Sequence, residues 1–383
     1  LKIACELSFT ESFLVATAFF AAYFVMALPS SYILKKTGFQ KGMSLGLLVM
    51  AAGALLFIPA ANSRSYPLFL TGLFIIGTGL ALLQTASNPY VTVLGPLESA
   101  AKRISIMGIC NKLAGILAVY ILGSIVLKDV DVFNKKLGGL APAERAAELD
   151  MLATRVINPY VIIAVALTIL AIGIYFIKLP PIEEEKEGTE TTHSDIKTSI
   201  FQFPHLILGA IAIFFYVGVE VISYDSFANF GEFLGFPLEK ASSFATFTGY
   251  ALLAGYILGI VTIPKIFSQQ KVLVFNTVLS MVLVVAAIYT KGMTAVVCFA
   301  LLGFSNAIMW PAIWPLAIEG LGKFTKTGAA LLIMGIVGGA LLPPLYGKLA
   351  EVMDSKQMAY WMMIPCYLYI LYYALKGHLA GKK

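Results

Sequence analysis

The chain has 383 residues, of which 59% are hydrophobic and 13% charged, about half the charged share of an ordinary globular protein. A soluble core has no use for that much apolar surface, whereas many windows here reach the roughly 20 apolar residues that cross a bilayer. The formal charge of +6 does not mark a nucleic-acid binder, because the basic residues lie between apolar runs rather than along one stripe.

Hydropathy, charge and turn residues predict an all-α polytopic membrane protein with eleven spans. They run over 11–34, 43–62, 66–95, 103–127, 157–177, 204–227, 241–267, 271–290, 292–320, 326–347 and 357–376. Lys and Arg gather in one set of loops, at Lys35, Lys36 and Lys41; Lys102 and Arg103; Lys178, Lys186 and Lys197; Lys265 and Lys271; Lys323 and Lys326; and Lys376, Lys382 and Lys383. By the positive-inside rule these loops and the C-terminus face the cytoplasm. The opposite side carries fewer basic residues in its short loops, and its long loop, 128–156, is mixed in sign. An odd number of spans with a cytoplasmic C-terminus puts Leu1 outside, so a further helix is expected before it.

Cys5, Cys110, Cys298 and Cys366 are unclustered and predict neither a disulfide framework nor a metal site. His193, His205 and His378 fall in or beside loops. No nucleotide-binding motif or catalytic constellation is visible, so an enzyme and an ATP-driven pump are both excluded.

The stretch Asn88-Pro89, Leu94-Gly95, Lys102-Arg103, Met107-Gly108-Ile109 recurs as Trp314-Pro315, Leu321-Gly322, Lys323 with Lys326, and Met334-Gly335-Ile336, offset by 226 or 227 residues. Each copy is a long span, a basic turn and a glycine-containing span. This predicts a major-facilitator-type plan of two six-helix bundles: an N-terminal bundle over 1–178 holding five of its six spans, a cytoplasmic linker over 179–203, and a C-terminal bundle over 204–383. The linker carries Pro180-Pro181, the run Glu183-Glu184-Glu185 and a Thr/Ser-rich stretch. In such a secondary transporter the cargo sits at mid-membrane between the halves.

Polar groups at membrane depth are costly, so each either contacts cargo or ties helices together. Gln84 and Asn88 are one turn apart, and Asn111 and Lys112 lie on the next span. Helical rise puts Gln84 and Lys112 roughly 13–17 Å from the cytoplasmic end. Amides donate and accept at once, which suits sugar hydroxyls. Lys112 needs water or a carboxylate, either on the expected preceding helix or at Glu220. Tyr216, Glu220 and Tyr224 share a helix face. By the same rise Glu220 sits about 24 Å in and Asp225 about 30 Å, near the outer mouth. Trp310 and Trp314 occupy the repeat positions of Gln84 and Asn88, with Asn306 a turn earlier. Indole faces stack on the apolar face of a pyranose. The small residues Gly255, Gly259, Gly335 and Gly338 predict close helix contacts. Gln84, Asn88, Asn111, Asn306, Trp310, Trp314 and Tyr216 are therefore the candidate substrate residues, and Glu220, Asp225 and Lys112 the candidate cation-coupling residues. No metal or cofactor beyond a coupling H⁺ or Na⁺ is expected.

Residues 83–96, Leu-Gln-Thr-Ala-Ser-Asn-Pro-Tyr-Val-Thr-Val-Leu-Gly-Pro, resemble the fourth helix of the fucose/glucose/galactose permeases, a branch of the major facilitator superfamily. Tyr216-Val217-Gly218-Val219-Glu220 resembles their seventh helix. Trp310-Pro311-Ala312-Ile313-Trp314-Pro315, with Gly322 to Gly328, resembles their tenth helix and the turn after it. The similarity runs through essentially the whole chain. It implies a monomeric sugar:cation symporter of a bacterial inner membrane, carrying a hexose-type sugar by alternating access. In fucose permease the position matching Gln84 is acidic, so this sequence leans toward the glucose/galactose type. Two other readings are a transporter-fold sensor without net transport and a carrier of a non-sugar solute.

Overall fold

The computed structural model of the chain describes residue 5 and residues 9–126, 141–180 and 198–382. Every regular element among the described residues is a helix. Nine runs among them are long and apolar enough to cross a membrane.

Helix α1 (Phe9–Leu55) and α2 (Phe57–Asn62) cover the first two expected spans in one run, Thr17–Asn62. The basic turn between those spans is a backbone break inside α1, at Gly38. Its φ of 74° lies in the region that glycine enters without a Cβ penalty. Helix α3 (Tyr66–Val93) follows as expected. Helix α4 (Ala100–Val126) covers the expected span 103–127 but is not among the nine apolar runs.

Part of the loop expected over 128–156 is helical. Helix α5 (Pro142–Thr154) opens with Pro142 at its first turn, where a missing N–H costs nothing, and with Glu144 near the positive helix end. Its Leu149, Leu152 and Ala153 are buried, and Arg64 pairs with Asp150 at 3.3 Å. Charge mixing at sequence level conceals this amphipathic face. Helix α6 (Ile157–Phe176) follows directly. Residues 127–140 and the linker run 181–197, with Glu183, Glu184, Glu185 and His193, lie outside the described residues, as does Leu1.

By compactness, residues 1–86 group with 113–179, and residues 87–112 with 180–383. In the first unit α1 and α3 meet at glycines. A Cβ on Gly46 would stand 2.8 Å from the Gly79 carbonyl, and one on Gly53 2.8 Å from the Ile76 amide. Helix α1 also fastens the end of α6. Ser44 donates to the Ala171 carbonyl at 2.8 Å and Gln40 to the Ile174 carbonyl at 2.8 Å, covering acceptors near the helix C-terminus. Phe57 stacks on Tyr160 at 3.9 Å between centroids.

The second unit is built around α7 (Pro204–Asp225), followed by α8 (Phe227–Phe233), α9 (Leu238–Thr262) and α10 (Gln269–Tyr289). The next span, Gly292–Ile318, is three helices: α11 (Gly292–Ala300), α12 (Leu302–Asn306) and α13 (Met309–Ile318). Proline explains the second break. Pro311 has no N–H for the Ala307 carbonyl and its ring crowds that carbonyl, so the helix restarts with Pro311 in the first turn of α13. Helices α14 (Thr325–Met334), α15 (Gly338–Val352) and α16 (Met363–Leu375) complete the unit.

Helix α7 packs against α13, α14, α15 and α16. The expected small-residue contacts are present. A Cβ on Gly335 would lie 2.7 Å from the Ala210 carbonyl, Gly338 meets the Phe214 backbone, and Gly255 and Gly259 admit Phe304 and Ile308. The element order of the sequence repeat also recurs. Helix α3, a 3₁₀ turn at Leu97–Ser99 and α4 correspond to α11–α13, a 3₁₀ turn at Gly322–Phe324 and α14. The first of these turns is locked by Arg103. Its guanidinium donates to the carbonyls of Val91 (2.8 Å), Thr92 (2.6 Å), Gly95 (3.1 Å) and Pro96 (3.1 Å) and to Ser99 Oγ (2.7 Å).

Candidate functional site

In the second unit the candidate residues of α4, α7 and α13 form a connected series. Lys112 on α4 and Glu220 on α7 make an ion pair, Nζ to Oε1 3.1 Å, with side chains 30% and 16% exposed. Of the two partners open to Lys112, Glu220 is the one the structure supplies. The ammonium also lies 5.7 Å from the Tyr224 ring centroid, within cation–π range. The phenols of Tyr216, Tyr224 and Tyr256 are within electrostatic reach of the Glu220 carboxylate. Removing either partner of such a pair leaves the other charge unpaired.

Tyr216 carries the series onward. It is fully buried on α7 and its ring centre lies 6.4 Å from that of Trp310. Trp310 in turn stacks on Trp314 at 5.4 Å, with 26° between the ring planes. Every residue of α13 is buried except Trp310. One indole face is thus presented outward while Trp314, at 0% exposure, backs it. Such a rigid flat apolar wall suits the C–H face of a pyranose ring. The Trp314 Nε1–H has no hydrogen-bond partner among the described residues.

Asn306 closes α12. It is at 0% exposure, and its Oδ1 accepts from Tyr367 Oη at 2.9 Å. Asn88 is buried at 5% exposure, whereas Asn111 on α4 and Asp225 at the end of α7 are exposed. In the first unit Gln84 is half-buried and donates to the hydroxyl of Tyr23, itself buried, at 3.2 Å.

Sequence reasoning did not single out Tyr23, Tyr256 or Tyr367. For Tyr256 a signal was available in its flanking glycines. Gly255 and Gly259 let α9 approach α12 and Ile308, and Gly108 on α4 leaves room for the Tyr256 ring, where a Cβ would stand 2.6 Å from Cζ. No cluster of metal-ligating side chains occurs among the described residues.

The Major Facilitator Superfamily model matches residues 3–343. The chain belongs to the major facilitator superfamily. It is 37% identical over 98% of its length to a glucose/galactose transporter of Brucella abortus, covering 88% of that protein. It is 30% identical to the L-fucose-proton symporter of Escherichia coli, over 94% of this chain and 83% of that one. Among solved structures, the superfamily transporter FucP in an outward conformation superposes with a TM-score of 0.84 at 28% identity, over 96% of this chain and 90% of that one. The proton:xylose symporter XylE shares the superfamily fold, with a TM-score of 0.69 at 14% identity over 96% and 87% of the two chains.

Proposed function

We propose that this chain imports a hexose-type neutral sugar together with a proton, by alternating access, across a bacterial inner membrane. The observation that carries the reading is the Trp310–Trp314 wall joined through Tyr216 to the Lys112–Glu220 pair, which puts a sugar-stacking surface beside an ionisable one. The glucose/galactose transporter and fucose-proton symporter relatives support both halves of it, and the latter favours H⁺ over Na⁺. In this reading Trp310, backed by Trp314, stacks on the sugar and Asn88 exchanges hydrogen bonds with its hydroxyls. Glu220 takes up the coupling proton, and Lys112 sets when it does so by engaging or leaving the carboxylate. Residues 1–178 and 204–383 act as the two homologous bundles, a division supported by the recurring element order.

The test is uptake of labelled glucose, galactose and fucose by proteoliposomes holding the protein, under an imposed inside-alkaline gradient. Saturable accumulation of at least one hexose, abolished by a protonophore, is expected. Uptake that ignores the gradient would remove the coupling, and absence of any hexose uptake would remove the sugar.

A further inference from the structure

Helix α12 is only five residues long, Leu302–Asn306, too short to hold its shape without outside contacts. Its last two residues are pinned by side chains from two neighbouring helices. Ser280 of α10 donates to Ser305 Oγ at 2.7 Å, and Tyr367 of α16 donates to Asn306 Oδ1 at 2.9 Å. All four side chains are buried at 0% exposure. On the third side, Gly303 meets the Thr248 backbone of α9.

Two residues, Ala307 and Ile308, separate α12 from α13, and Trp310 is the second residue of α13. The backbone between them lacks a full helical ladder because Pro311 cannot donate. The direction in which α13 starts is therefore set by how α12 is held rather than by continuous helix geometry. Asn306 is the last residue before the break that a side-chain hydrogen bond holds. Its Nδ2 has no partner among the described residues, so the Tyr367 hydroxyl is its closest hydrogen-bonding restraint.

We propose that Tyr367 is a positioning residue for sugar binding: through Asn306 it fixes the start of α13 and so the orientation of Trp310. The proposal rests on the sugar-binding reading of the tryptophan wall. It moves Asn306 from cargo contact to scaffold.

Tyr373 supplies an internal control. It lies on the same helix, is also at 0% exposure, and its hydroxyl has no partner among the described residues. Tyr367→Phe and Tyr373→Phe each remove one oxygen and keep the ring, so both are expected to fold. Hexose KM is measured for each in proteoliposomes. Sugar quenching and acrylamide quenching of tryptophan emission are measured in a Trp361→Phe background, which leaves Trp310 and Trp314 as emitters. Loss of one ordinary buried hydrogen bond corresponds to about a fivefold change. Tyr367→Phe is expected to raise KM about fivefold, weaken the sugar response and increase acrylamide quenching of the sugar-free protein. Tyr373→Phe is expected to leave all three unchanged. Identical behaviour of the two variants, or a Tyr367→Phe effect confined to melting temperature, overturns the proposal. Altered acrylamide quenching in a protein that binds no hexose would overturn the sugar-binding reading alone, leaving Tyr367 as a positioner of Trp310.

Discussion

Lys112 Nζ stands 3.1 Å from Glu220 Oε1, so α4 and α7 are joined by opposite charges that are mostly withdrawn from solvent. Neither charge is comfortable there alone, since removing one partner strands the other in a low-dielectric setting. Tyr216, one turn before Glu220 on α7, in turn lies 6.4 Å from Trp310 between ring centres.

Single substitutions at this pair should therefore hurt more than the double one. Lys112→Met and Glu220→Gln are each expected to lower the melting temperature in detergent. The double variant should recover part of the loss, with a coupling of about 1–3 kcal/mol. Strictly additive losses would show that the two side chains do not depend on each other.

The two tryptophans should separate by function. Trp314 is buried, so Trp314→Ala is expected to cost about 3–5 kcal/mol of stability. Trp310 presents a face outward, so Trp310→Ala should raise the hexose KM with a smaller loss of stability. Melting curves and uptake kinetics on the same preparations check both. Equal stability losses with unchanged KM at Trp310 would make the wall a packing feature.

At the turn after α3, the Arg103 guanidinium meets five acceptors in a fixed fork. A lysine keeps the charge but cannot reproduce that geometry. Arg103→Lys is expected to destabilise by about 1–3 kcal/mol, read as a lowered melting temperature with little change in sugar affinity. A wild-type melting curve would contradict it.

His378 sits beyond the last span, in the 3₁₀ turn Gly377–Leu379, and its Nδ1 faces the Tyr373 carbonyl at 3.1 Å. A carbonyl only accepts, so this nitrogen donates. Burial holds the imidazole below its ordinary range. The folded state thus binds the proton less readily than the unfolded one. Its stabilising contribution is complete above the unfolded pKa of about 6.5 and is lost as pH falls from there through the lower folded value. Melting temperature between pH 7.5 and 5 should fall less steeply in His378→Gln than in the wild type. Parallel curves would exclude His378 as the source.

Much of the architecture was legible because bilayer thickness imposes long apolar runs and lysines mark their ends. The recurrence of a long span, a 3₁₀ turn and a second helix was also readable, from the spacing of the repeat. Two kinds of feature were not. Helix α5 draws its stability from a buried Leu149–Leu152 face, which a mixed-charge loop does not announce. The burial of Asn306 depends on where a proline-broken span is pinned, and its partners Ser280 and Tyr367 are 26 and 61 residues away. Tyrosines such as Tyr256 look like ordinary packing until a neighbouring helix brings a carboxylate beside them. Lys112 had two candidate partners for the same reason: the chosen one is 108 residues distant.

The central claim is that Glu220 couples proton movement to sugar movement. Glu220→Gln in proteoliposomes tests it most directly, by comparing gradient-driven accumulation with sugar counterflow. Accumulation should fall to the equilibrium level while counterflow persists at a rate near that of the wild type. Loss of both together, or retention of accumulation, would contradict the account.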